Sequence, residues 1–400
     1  IGFFIVVYFL FARVYSAFLV SVNRISEMVY SQVLAALITD GISYLVIALL
    51  VRGFPNIIPG LMAFAGQIFM SALWCFLAHH WYFRAFPPQK TLIVYDIRDG
   101  LESLINQYDL ERKFHVCEIV QVKECLEHLD KLDDMETVFL SGIHSHDRNI
   151  ILKYCIEKNV RVYVIPRVGD VLMSGATQVH LFHLPMLRIG RYEPNPEYLF
   201  FKRLFDLVMS VTGIVILSPI MLLTALAIKL YDRGPVFYAQ TRLTKDGKEF
   251  NVLKFRSMKV NAEQDGVARL SSGDKDPRIT PVGRIIRKCR VDELPQLFNV
   301  LKGDMTLVGP RPERPSIAAE YEEEMPEFRL RLQAKAGLTG YAQVYGKYNT
   351  TPYDKLLMDL MYISHPNFLE DLLIMFATVK ILFMPESTEG VEEGQITAKK

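Results

Sequence analysis

Two adjacent carboxylates, Asp292 and Glu293, stand in a stretch dense with positive charge. Arg278–Glu313 reads RITPVGRIIRKCRVDELPQLFNVLKGDMTLVGPRPE. Arg278, Arg284, Arg287, Lys288 and Arg290 precede the pair, and a Pro310-Arg311-Pro312 turn follows it. Carboxylates amid so many cations suit work on something more anionic than themselves, such as a diphosphate. Asp is a favoured N-cap and proline is tolerated in a first helical turn, so the spacing predicts Asp292 at a helix N-terminus. Amides and macrodipole favour anions there. A capped helix with a charged start is the plain reading of Asp292 alone. The basic cluster and the Pro-Arg-Pro turn shift the balance towards chemistry.

Further residues could join the pair. Lys254-Phe255-Arg256-Ser257-Met258 closes a predicted strand, and by itself reads as a basic strand edge. Arg311 sits between two prolines that stiffen its turn, and a guanidinium grips phosphate oxygens bidentately. Gly337-Leu338-Thr339-Gly340-Tyr341-Ala342-Gln343-Val344 has two glycines and a threonine that would permit close backbone approach to a ligand.

These motifs must be positioned by a membrane-associated chain. Half of the 400 residues are hydrophobic, and the net charge of +1 gives no argument for nucleic acid. The five cysteines are scattered without a CxxC pair, and read as reduced thiols rather than a zinc site. Ile1–Val22, Val29–Val51 and Ile58–Phe83 each approach the roughly 20 apolar residues that a spanning helix needs. Arg13, Arg24, Arg84 and Lys90 place the first connection and everything after Arg84 in the cytoplasm. The chain begins at Ile1 inside an apolar run, so an upstream span is expected. His79 and His80 read as interfacial; Asp40 lies deeper, with no partner that the sequence names.

From Lys90, short apolar strands alternate with helices, which argues for a parallel sheet. Asp96-Ile97-Arg98-Asp99-Gly100 after the first strand lacks the glycines of a dinucleotide fingerprint. A structural, regulatory or dimerising role is expected for this part. Beyond the Pro194 and Pro196 linker, Leu207–Leu230 is almost wholly apolar, with Ser218-Pro219 at its middle. A proline there predicts a kink. Lys202 and Arg203 at one end and Lys229 and Arg233 at the other both want the cytoplasmic side. A re-entrant helix satisfies both ends; a kinked spanning helix is the alternative.

From about Tyr198 to Phe383 the chain resembles the bacterial sugar transferases, the monotopic phosphoglycosyl transferases. The resemblance rests on the Ser-Pro break, Lys254–Met258, Arg287, Asp292-Glu293, the Pro-Arg-Pro turn and the Gly337–Val344 loop; family members often have tryptophan where this chain has Tyr341. It implies that Asp292 attacks the β-phosphorus of a UDP-sugar, releasing UMP and leaving an aspartyl phosphosugar. Undecaprenyl phosphate then accepts the sugar phosphate. It also implies Mg²⁺ with Asp292 as leading ligand, Glu293 as metal holder or base, and phosphate binding by Arg287, Arg311, Lys254 and Arg256. Pro310, Pro312, Thr339, Gly340 and Gln343 would form the substrate loop, and Ser218 and Pro219 the membrane break. The expected architecture is therefore an α/β membrane protein. Residues 1–85 are transmembrane helices and 86–195 a Rossmann-like domain. Residues 196–385 are the catalytic domain with its re-entrant helix, and 386–400 a disordered tail. The setting is the bacterial inner membrane with the catalytic domain on its cytoplasmic face, starting exopolysaccharide, capsule or glycan assembly, with a homodimer through the middle domain. A processive glycosyltransferase would want a metal-binding Asp-x-Asp together with several true spans around a channel. A non-enzymatic scaffold would leave the Asp-Glu pair unexplained.

Overall fold

A computed structural model describes residues 1–260, 276–346 and 350–382; the expected tail at 386–400 lies outside the described residues. The chain divides into two compact units, Ile1–Arg167 and Val168–Lys400.

The first unit opens with helices α1 (Gly2–Val14), α2 (Ile25–Val51) and α3 (Ile58–Ala85). α2 and α3 are long and apolar enough to cross a membrane. The first apolar run contributes α1, 13 residues in this sequence, about 20 Å long. The chain turns at Ser16, which adopts φ 54°, and Asn23 Nδ2 donates to the Ser16 carbonyl at 3.0 Å. The deep Asp40 has a partner after all: Gln67 of α3 donates to it at 3.2 Å.

Next come β1 (Gln89–Tyr95), α4 (Leu101–Gln107), β2 (Phe114–Gln121), α5 (Val122–Glu127), β3 (Thr137–Ser141), α6 (Ser145–Glu157) and β4 (Arg161–Val164). All four strands pair in parallel in the order β2-β1-β3-β4. Leu92, Ile93, Val94, Val138 and Leu140 are buried, as strands sandwiched on both faces require. β1 and β3 therefore read as unbroken apolar runs.

The second unit begins with α7 (Val168–Ser174) and the antiparallel hairpin β5 (Thr177–Leu181) and β6 (Leu184–Arg188). α8 (Pro196–Asp232) follows, the third helix apolar enough to cross a membrane. It stays helical through Pro219, and Ser218 Oγ donates to the Val215 carbonyl at 2.8 Å. Its 37 residues span about 55 Å. Asp206, Ser210, Met221, Thr224 and Ile228 form a buried stripe. Val208, Val211, Val215, Ile216, Leu222, Leu223 and Leu226 are exposed on the other side.

The hairpin β7 (Phe237–Leu243) and β8 (Glu249–Phe255) then leads to α9 (Pro281–Lys288) and α10 (Gln296–Lys302). β9 (Thr306–Val308) pairs in parallel with β10 (Gly337–Thr339), with α11 (Pro315–Glu324) between them. α12 (Tyr341–Tyr345), α13 (Pro352–Ser364) and α14 (Phe368–Leu382) complete the unit. Its core gathers Val300, Met305, Leu307, Leu356, Leu360 and Ile374.

Candidate active site

Thr280 caps α9, accepting from Gly283 N at 2.9 Å. At the other end of α9, Arg290 takes φ 52°, a left-handed conformation that redirects the chain. The next residues, Val291–Glu293, form a single 3-10 turn, and α10 begins only at Gln296. Asp292 is therefore not a helix N-cap; the left-handed Arg290 and the tight turn after it take up the position expected for the cap. α10 is pinned to the hairpin by Asn299, which accepts from Leu253 N at 3.0 Å and donates to the Asn251 carbonyl at 2.8 Å. That bracing brings Lys254, at the end of β8, to Glu293.

The two carboxylates are treated differently. Glu293 Oε1 accepts from Lys254 Nζ at 2.8 Å and from Arg311 at 3.3 Å, and Arg290 lies 3.9 Å from its other oxygen. Burial would raise Glu293, but the charges of Lys254, Arg311 and Arg290 outweigh it and hold the group well below the usual carboxylate range. Half-buried Asp292 makes no side-chain hydrogen bond among the described residues. Burial and the Glu293 charge push it up to about 6, against the pull of Lys254, Arg287 and Arg290. Glu293 is thus a fixed anion spent on cations, while Asp292 keeps its oxygens uncommitted.

A family model described as bacterial sugar transferase matches residues 197–385. The UDP-glucose:undecaprenyl-phosphate glucose-1-phosphate transferase of Caulobacter vibrioides is 41% identical over 191 residues, 46% of this chain and 71% of that protein. The chain belongs to the bacterial sugar transferase family. A UDP-N-acetylgalactosamine-undecaprenyl-phosphate N-acetylgalactosaminephosphotransferase of Aeromonas hydrophila is 39% identical over 234 residues, 58% of this chain and 54% of that protein. An undecaprenyl-phosphate glucose phosphotransferase of Komagataeibacter xylinus is 44% identical over 228 residues, 55% of this chain and 42% of that protein. The chain spans about half the length of these last two relatives.

In this member of the family the structure gathers Asp292, Glu293, Lys254 and Arg311, with the Arg287 charge bearing on Asp292. It draws Arg256 away. That guanidinium is buried and forked onto Asp232 at the end of α8, and its Nε donates to the Pro235 carbonyl at 2.6 Å. Arg256 therefore anchors a helix end instead of facing phosphate. Arg278 is likewise paired with Asp276, at 2.7 Å.

The Pro-Arg-Pro turn hangs on hydrogen bonds to its carbonyls. Val308 O accepts from Lys202 at 2.9 Å, Pro310 O from Gly337 N at 2.9 Å, and Arg311 O from Arg331 at 2.8 Å. Pro312 O accepts from Arg242 at 3.0 Å. Arg331 is itself held by the buried Asp359 of α13 at 2.6 Å. Sequence reading missed Arg242, Arg331 and Asp359, since nothing periodic links them to the turn.

The glycines expected to admit a ligand instead admit backbone. A Cβ on Gly337 would lie 2.2 Å from Gly309 N, and one on Gly340 2.1 Å from Gly309 O. Thr339 Oγ1 is 2.7 Å from Thr378 Oγ1, inside the unit. Gln343 Nε2 donates to the Leu338 carbonyl at 3.4 Å. Their contacts brace the β9–β10 pair, from which the Arg311 turn projects.

Proposed function

We propose that the protein transfers a sugar 1-phosphate from a UDP-sugar to undecaprenyl phosphate through Asp292. The observation that carries this reading is the uncommitted Asp292 carboxylate beside a Glu293 saturated by Lys254, Arg311 and Arg290. The relatives' names supply the substrate class, and their sugars differ, so no sugar is chosen for this chain. An Asp292 oxygen attacks the phosphorus that bears the sugar. The bond from that phosphorus to the bridging oxygen breaks, and UMP leaves with the electron pair. The acyl phosphate is then attacked by a phosphate oxygen of undecaprenyl phosphate. Its bond to Asp292 breaks, the carboxylate is restored, and no proton is consumed. A carboxylate nucleophile divides a hard displacement into two easier ones.

Among the described residues no cluster of three acidic, histidine or cysteine side chains could cage a metal. Mg²⁺ is usually held by one or two carboxylates plus substrate phosphates, and the free oxygens of Asp292 fit that mode. When bound it would neutralise phosphate charge. Glu293 keeps Lys254 and Arg311 beside Asp292, and Arg311 offers its remaining donors to phosphate oxygens.

The same proposal reads α8 as a helix buried in one leaflet on the cytoplasmic face of the inner membrane. The support is that its inner face is attached along its length. Arg203 donates to the Val300 carbonyl at 2.7 Å, Leu297 approaches Gly213, and Asp232 holds Arg256. It also reads the parallel sheet of β1–β4 as Rossmann-like, on its strand order.

The test is incubation of the full chain in nanodiscs with labelled UDP-sugars, undecaprenyl phosphate and Mg²⁺. Label should enter the lipid phase with release of UMP. Omitting lipid should leave label on the protein, absent in Asp292→Asn. An undiminished rate in folded Asp292→Asn would refute the mechanism.

A further inference from the structure

A second polar cluster lies away from Asp292, at the root of α8. Lys202 Nζ donates to Asp371 at 2.8 Å, to the Tyr362 hydroxyl at 3.0 Å and to the Val308 carbonyl at 2.9 Å. An ammonium has three donors, so all of them are used. Asp371 also accepts from Tyr198 at 2.9 Å and from Tyr362 at 2.7 Å. The Tyr362 hydroxyl lies 3.1 Å from the Val308 carbonyl as well. The rings of Tyr198 and Tyr362 each stand 5.7 Å from Lys202 Nζ. The Lys202 and Asp371 side chains are 13% and 3% exposed, and Tyr362 is buried.

A buried ion pair is weak evidence for stability, since apolar residues of similar volume often serve as well; its best-attested use is to fix register. Four elements meet at this one. Lys202 and Tyr198 come from α8, Tyr362 from α13, Asp371 from α14 and Val308 from the end of β9. Sliding α8 by one turn, about 5.4 Å, would carry Lys202 and Tyr198 away and leave the Asp371 carboxylate with Tyr362 alone. The cluster therefore fixes where α8 sits along its domain.

The Val308 carbonyl connects that register to chemistry. β9 ends at Val308, and only Gly309 and Pro310 separate it from Arg311. Neither residue has room to absorb a shift. Gly309 N donates to the Thr339 carbonyl at 2.9 Å, and a Cβ on Gly309 would lie 2.4 Å from the Lys335 carbonyl. Proline fixes its own φ. A displacement at Val308 is passed on to Arg311, whose guanidinium meets Glu293 at 3.3 Å.

We propose that Lys202, Tyr362 and Asp371 are positioning residues that aim Arg311 through the Val308 carbonyl, so that the seating of α8 is felt at the site of transfer. The assignment rests on the transfer reading above and adds to it a dependence on the membrane helix.

The experiment is a double-mutant cycle on the full chain in nanodiscs, scored by kcat/KM for the UDP-sugar that wild type uses and by thermal melting. Lys202→Met should lower kcat/KM by up to roughly a hundredfold, the cost of a misplacement of about 1 Å. Tyr362→Phe keeps the ring and removes only the hydroxyl. It should lower kcat/KM roughly tenfold, and it carries the test if Lys202→Met does not fold. Each variant is repeated with Arg311→Lys, which keeps a cation but removes the planar fork. In that background both losses should shrink to less than about threefold, because no fork is left to aim, while any drop in melting temperature persists. A merely structural role predicts equal losses in the two backgrounds, and equal losses would overturn the proposal. So would wild-type kinetics in folded Tyr362→Phe. Wild-type turnover in Arg311→Lys would also overturn it, since nothing at Arg311 would then need aiming. If wild type transfers sugar and the losses are equal, the positioning role fails while the function stands. If wild type transfers nothing to lipid, the function fails and the assignment falls with it.

Discussion

Asp359 offers the sharpest separation of folding from catalysis. Its carboxylate accepts from Arg331 at 2.6 and 2.9 Å, and the two side chains are 1% and 5% exposed. Removing one partner of a buried ion pair costs about 3–5 kcal/mol, because the other charge is left uncompensated. Arg331 would retain the Arg311 carbonyl at 2.8 Å and a distant Glu313 at 3.7 Å. Asp359→Ala should therefore fall at the low end, about 3 kcal/mol. For a domain of 150–250 residues that lowers Tm by about 6–12 °C. Replacing both partners by apolar residues, Arg331→Met with Asp359→Leu, should return most of that stability, since apolar packing often matches a buried pair. It should not return activity. Without Arg331 the Arg311 carbonyl loses its side-chain donor, and the guanidinium loses its aim. Melting in nanodiscs and kcat/KM for the UDP-sugar, run on wild type, single and double variants, decide the matter. A double variant that regains both stability and turnover would show the pair to be packing alone. A single variant that melts within a degree of wild type would refute the claim that an uncompensated Arg331 charge destabilises the fold.

Arg256→Gln should lower the melting temperature, because it releases Asp232 from the fork at the end of α8, and it should leave the UMP Kd unchanged. Weakened UMP binding with unchanged melting would return Arg256 to the phosphate site. In the metal-free protein, Asp292 should react with a carbodiimide near pH 6, because its raised value of about 6 keeps a protonated fraction there, and labelling should fade as pH rises above it. Glu293, held low by its three cations, should stay unlabelled under the same conditions. Equal labelling of the two, read by peptide mass spectrometry, would contradict their division of labour.

The chain's alternation of short apolar strands and helices was enough to place β1 to β4, since burial on both faces writes itself into consecutive residues. The Asp292-Glu293 pair and the Pro-Arg-Pro turn were legible for a similar reason: they are contiguous. The partners were not. Lys254 reaches Glu293 across 39 positions and Arg331 reaches Asp359 across 28. No local periodicity records such pairings, because they are chosen by how β8, α10 and α13 pack. Local propensity misled at Asp292, where an N-cap residue type sits in a 3-10 turn after a left-handed arginine. It misled again at the glycines, whose missing side chains make room for Gly309 instead of a ligand.

The same distinction bears on how α8 would meet a membrane. Composition alone makes α8 a candidate span, and its 37 residues exceed what a bilayer core of about 30 Å requires. A spanning helix, however, must shed its own domain somewhere along its length, and α8 does not. Lys202 is bonded to the Val308 carbonyl near its start, Gly213 meets Leu297 of α10, Met221 and Ile228 pack with Phe255 and Ile286, and Asp232 closes on Arg256. The buried stripe from Asp206 to Ile228 runs over 23 residues, about 33 Å at a rise of about 1.5 Å per step, with polar Asp206, Ser210 and Thr224 on the protein side and Val215, Ile216, Leu222 and Leu223 facing out. Driving that helix through a membrane would drag β8, α9 and α10 with it. Their cations would then have to leave water, which is costly unless each is paired. Laid along one leaflet, as proposed, α8 would keep its outer face in lipid and its inner face on the domain. The turn that carries Asp292 would then lie where an acceptor phosphate at the headgroup level could reach it.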